Sequence, residues 1–109
     1  MINRIALGAV AEMPEGRGLQ VEHGEHRVAV FRIGDSVYAI GDRCSHAEAS
    51  LAEGEVFGLD VECPRHGSEF NLETGKPASC PATKPVPVYD VRVDGTEAFL
   101  VIEDEGAVQ

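Results

Sequence analysis

The chain carries 109 residues with a formal charge of -10, from 19 acidic and 9 basic side chains, and it has three cysteines. This length suits one domain with a modest core, and the acidity argues against nucleic acid or an anionic membrane as partner, since both would repel it, whereas a basic protein surface would attract it. No run approaches the roughly 18 apolar residues of a membrane span, and the apolar stretch Ile5 to Ala11 is cut off by Glu12 without a cleavage pattern, so it does not read as a signal peptide.

In chain order, residues 2–10 read as an opening strand that ends at the turn residues Met13-Pro14-Glu15-Gly16. Leu19 to Glu22 is a second short strand. His26 to Ile33 and Ser36 to Ile40, rich in β-branched residues, form a hairpin about Gly34-Asp35. His23 and His26 read as turn and strand-surface residues. Glu55 to Phe57 and Leu59 to Glu62 make a small hairpin about Gly58, and Glu69 to Leu72 a further short strand. Thr74 to Ala82 is a turn followed by a Pro-rich loop that cannot join a ladder. Val88 to Val93 and Ala98 to Ile102 form a second hairpin across Asp94-Gly95, and the last residues, 103–109, are acidic and expected to fray. No segment shows helical periodicity and no repeat is visible.

Two segments interrupt this pattern with a different chemistry. Cys44-Ser45-His46 and Cys63-Pro64-Arg65-His66 read together as C-x-H, 16 intervening residues, then C-x2-H. Each loop offers one thiolate and one imidazole, so the pair predicts a metal site. Such a donor set suits a tetrahedral zinc ion or a [2Fe-2S] cluster in which two His replace two Cys on one iron. Structural zinc sites usually group like ligands, whereas each loop here mixes them, which favours the cluster over zinc.

At these residues the chain resembles the Rieske family. The resemblance implies an all-β fold, a Rieske-type antiparallel β-sandwich spanning residues 1–109 as a single domain, with a small cluster-binding subdomain inserted at about 42–81. It implies one [2Fe-2S] cluster, with Cys44 and Cys63 on the buried iron and His46 and His66 on the outer one. Pro81 matches the central proline of the loop that covers the cluster in the family. Cys80 beside it is then left over, as a small filler or a redox thiol, and a lone spare thiol points to a reducing compartment, the cytoplasm.

The departures from the family pattern are informative. Respiratory members join a second cysteine in each ligand loop as a disulfide, and the matching positions here are Ala49 and Arg65. Those members also donate hydrogen bonds to cluster sulfurs from a serine and a tyrosine; this chain keeps Ser68 but has Phe70 in place of the tyrosine. A lower reduction potential is expected. The chain is similar in these respects to soluble Rieske ferredoxins of ring-hydroxylating oxygenase systems, although those commonly lack both hydroxyls. The resemblance implies a monomeric one-electron carrier between a flavin-dependent reductase and a terminal oxygenase, without catalysis of its own. The alternatives are a small accessory subunit of another system, such as a nitrite reductase or iron-sulfur cluster assembly, and a structural zinc domain.

Overall fold

The computed structural model describes residues 2–43, 49–65, 68–77 and 84–103. These contain nine strands: β1 (Ile2–Ala9), β2 (Gly18–His23), β3 (His26–Ile33), β4 (Ser36–Gly41), β5 (Val56–Phe57), β6 (Asp60–Glu62), β7 (Glu69–Asn71), β8 (Val88–Asp94) and β9 (Glu97–Glu103). The expected strands are all present with ends shifted by a residue or two. The opening strand stops at Ala9 because Val10–Glu12 turns into a short 3-10 helix, and a second 3-10 helix occupies Leu51–Glu53. Neither was legible as a helix, since three residues are too few to show a period.

Six strands form one antiparallel sheet in the order β1-β9-β8-β4-β3-β2, and three form another in the order β5-β6-β7. The second sheet is an insertion: β4 pairs directly with β8, Ala39 opposite Tyr89 and Ile40 opposite Val88, although the whole three-stranded sheet lies between them in sequence. The base sheet thus takes strands from both ends of the chain.

Side-chain alternation explains how the layers stack. On β3, Val28 and Val30 belong to a core shared with Ala98, Leu100 and Ile102 of β9 and Met13. Ala29 and Phe31, on the opposite face, belong to a different core with Leu51, Val61, Phe70, Leu72 and Val86. Ala39 and Ile40 of β4 divide in the same way. The β3–β4 hairpin is therefore buried on both faces, against β9 and Met13 on one side and against Leu51 and the small sheet on the other. Burial on both faces is why Val28 to Phe31 is a continuous apolar run and not a strict alternation with polar residues.

Candidate metal centre

Three loops leave the second core, and each is closed at its base by backbone hydrogen bonds. The first spans residues 43–50. Leu51 N–H donates to the Asp42 carbonyl at 2.6 Å, and Arg43 bridges Ser50. The second spans 63–68, where Cys63 N–H donates to the Ser68 carbonyl at 2.6 Å just beyond the Glu62–Glu69 pair of β6 and β7. The third begins beyond the Phe70–Pro77 bridge and ends where Val86 N–H donates to the Gly75 carbonyl at 2.8 Å. Gly75 has φ +74°, and a Cβ there would run into the Val86 carbonyl oxygen, so only glycine allows this closure. Leu51, Cys63, Phe70, Leu72 and Val86, one or more from the base of every loop, lie in the same core.

The first loop is held by a residue that sequence reading passed over. Asp42 has no solvent exposure, and with Ser68 it makes up the buried polar or charged residues among those described. Its Oδ1 accepts from Ser50 Oγ at 2.8 Å and from Ala52 N–H at 2.9 Å. Its Oδ2 accepts from Gln20 Nε2 at 2.6 Å and from Arg27 Nη2 at 3.4 Å. Gln20 also donates to Ser50 Oγ at 3.3 Å. The signal available in the sequence was an acidic residue two positions before a proposed ligand, and acids are too common in turns for that to stand out.

Of the predicted site residues, Cys63 is 1% exposed and carries a free thiol. Ser68 and Phe70 are fully buried, Phe70 on β7 opposite Val61. Cys44, His46, His66 and Pro81, as well as Cys80, lie outside the described residues. The bases of the loops that carry them converge nevertheless. Ala49 and Arg65, the positions that hold disulfide cysteines in respiratory members, line one cleft of about 270 Å³ together with Ser50, Glu53 and Pro64. Neither position carries a thiol, so no disulfide joins the loops at these two residues.

His26 is half-buried and not a simple surface residue: its Nδ1 lies 3.1 Å from Tyr89 Oη, with the rings edge to face. His23 faces His26 across the end of the β2–β3 hairpin. Burial raises the phenol of Tyr89 above its ordinary value near 10. Neither histidine joins the metal-ligand segments among the described residues.

The Rieske [2Fe-2S] domain model matches residues 3–90. The chain belongs to the Rieske family. It is 43% identical over 100 residues to the 3-phenylpropionate/cinnamic acid dioxygenase ferredoxin subunit of Escherichia coli (strain K12), covering 91% of this chain and 93% of that one. Its fold is similar to the ferredoxin of carbazole 1,9a-dioxygenase from Nocardioides aromaticivorans IC177, with a TM-score of 0.85, 39% identity, and 90% and 96% of the two chains covered. A chain in the complex of reduced oxygenase and oxidized ferredoxin in carbazole 1,9a-dioxygenase matches with a TM-score of 0.85 at 41% identity, covering 89% and 91%.

This Rieske protein is a one-electron carrier of the dioxygenase-ferredoxin type, the electron-transfer component and not the catalytic one, and its cofactor is one [2Fe-2S] cluster. The described residues fit that group. A buried free thiol stands at the end of a short strand, backed by apolar side chains and beside a buried serine, which is the surrounding a largely dehydrated thiolate-bound iron requires. When bound, the cluster supplies a one-electron couple. The chain's own part is to fix the loop bases and to exclude water beneath them. No helix is long and apolar enough to cross a membrane among the described residues.

Proposed function

We propose that Cys44, His46, Cys63 and His66 hold the cluster, that residues 1–109 act as one domain, and that the protein carries single electrons in the cytoplasm from a flavin-dependent reductase to a terminal ring-hydroxylating oxygenase. The observation that carries this reading is the complete C-x-H, C-x2-H set on a chain 41% identical to one in an oxygenase–ferredoxin complex. The buried, unpaired Cys63 at the base of the second loop supports the ligand assignment.

The test has two arms. Iron and sulfide analysis of anaerobically purified protein should give two of each per chain, and Cys44→Ser, His46→Ala, Cys63→Ser and His66→Ala should each lose the red-brown colour, whereas Cys80→Ser keeps it. Dithionite-reduced protein, mixed anaerobically with the oxidised oxygenase of a 3-phenylpropionate/cinnamic acid dioxygenase, should be reoxidised as the oxygenase is reduced. One zinc and no sulfide would overturn the cofactor assignment. A loaded protein that passes no electron to such oxygenases would overturn the partner.

A further inference from the structure

We infer that Asp42 is the positioning residue of the metal centre: its buried carboxylate ties the base of the first ligand loop to the base sheet. The inference rests on the reading that Cys44 and His46 are ligands. Asp42 follows directly on β4, and Cys44 comes two residues later. Among the described residues, four donors converge on its two oxygens from both sides of the junction. Gln20 on β2 and Arg27 on β3 belong to the base sheet, while Ser50 and Ala52 belong to the far end of the loop.

The backbone of Asp42 repeats the same junction, since its N–H donates to the Arg27 carbonyl at 2.9 Å and its carbonyl receives Leu51 N–H at 2.6 Å. One residue thus fixes where the loop departs and where it returns. Ala52 N–H is one of the orphan donors at the start of the Leu51–Glu53 helix, and Asp42 satisfies it in place of the cap residue Ser50, whose side chain makes no cap bond. Ser50 instead spends its hydroxyl proton on Asp42. Among the described residues the contacts to the carboxylate all come from donors, the Arg27 guanidinium included, and charge-assisted bonds in a dry site hold direction better than neutral ones. The carboxylate, paired with Arg27 at 3.4 Å, stands two residues before Cys44 in the chain, and removing its charge favours the more negative reduced cluster.

Asp42→Asn keeps the shape but turns an amide NH2 toward two of the donors. The loaded variant should bleach about tenfold faster than the parent in excess iron chelator, as expected for losing a charge-assisted buried hydrogen bond, and its reduction potential should rise. Ser50→Ala, which removes one donor and leaves the charge, should bleach faster by a smaller factor with its potential unmoved, and it decides the matter if the first variant cannot be recovered. Met13→Ala serves as the comparison, because Met13 lies in the other core and its loss weakens the fold without touching the loop.

Equal acceleration in Met13→Ala at an equal loss of thermal midpoint would reduce Asp42 to a general structural part and overturn the proposal. So would parent-like bleaching and potential in Asp42→Asn while Cys44→Ser is colourless. A Cys44→Ser variant that keeps its cluster would overturn the ligand assignment itself, and this inference with it.

Discussion

Replacing Phe70 by Tyr adds one hydroxyl to a ring with no solvent exposure, so the new group must find an acceptor inside the protein or stay unpaired. The ring stands on β7, two residues beyond Ser68 and in the same core as Cys63. A net hydrogen bond is worth about 1 kcal/mol. If it favours the reduced, more negative cluster by that amount, the potential rises by about 40 mV, since a tenfold change in a one-electron equilibrium is about 59 mV. Without an acceptor, the buried hydroxyl costs about 1–3 kcal/mol, and at roughly 5 °C per kcal/mol for a domain of this size the midpoint would fall by about 5–15 °C. We expect the first outcome: voltammetry of the loaded variant shows a rise of some tens of millivolts, with a melting midpoint within about 5 °C of the parent. A depressed midpoint with an unchanged potential would refute the placement of this ring beside a cluster sulfur.

Ser68→Ala should lower the potential, measured in the same way, because it removes the hydroxyl that the family pattern directs at the cluster. Gly75→Ala should cost about 2–4 kcal/mol, combining the strain of a positive φ with a collision against Val86. Gly24→Ala, also at positive φ but with open space around it, should cost only about 1 kcal/mol, and equal losses in thermal or urea melts would show that the closure at Gly75 is not needed. For Tyr89, burial raises the folded phenol above the unfolded value near 10, so the folded state keeps that proton more tightly. Stability should be indifferent to this group well below pH 10 and fall as the pH rises past the unfolded value; Tyr89→Phe should flatten that alkaline limb in pH-dependent melts. Electron transfer to the oxygenase should slow with added salt if the net charge of -10 steers docking, and a rate independent of ionic strength would leave the acidity without that role.

The hairpins β3–β4 and β8–β9 were readable because everything that makes them is local: β-branched runs joined by Gly34-Asp35 or by Gly95 and its neighbour. The proposed donor set rests on the sequence in a different way, since the chemistry of a mixed Cys/His pair in each loop depends on residue type and spacing alone. What the sequence left undecided is what joins distant segments. Pairing of β4 with β8, and of β1 with β9, links residues far apart in the chain, and no local pattern encodes which edges meet. Val28 to Phe31 reads as a strand in either case; only packing assigns Val28 and Val30 to one core and Ala29 and Phe31 to the other. Asp42 shows the limit most plainly. In sequence it is an ordinary loop acid, and it ties down the base of the loop from 43 to 50 only because folding brings Gln20, Arg27, Ser50 and Ala52 around it and removes the water that would otherwise satisfy it.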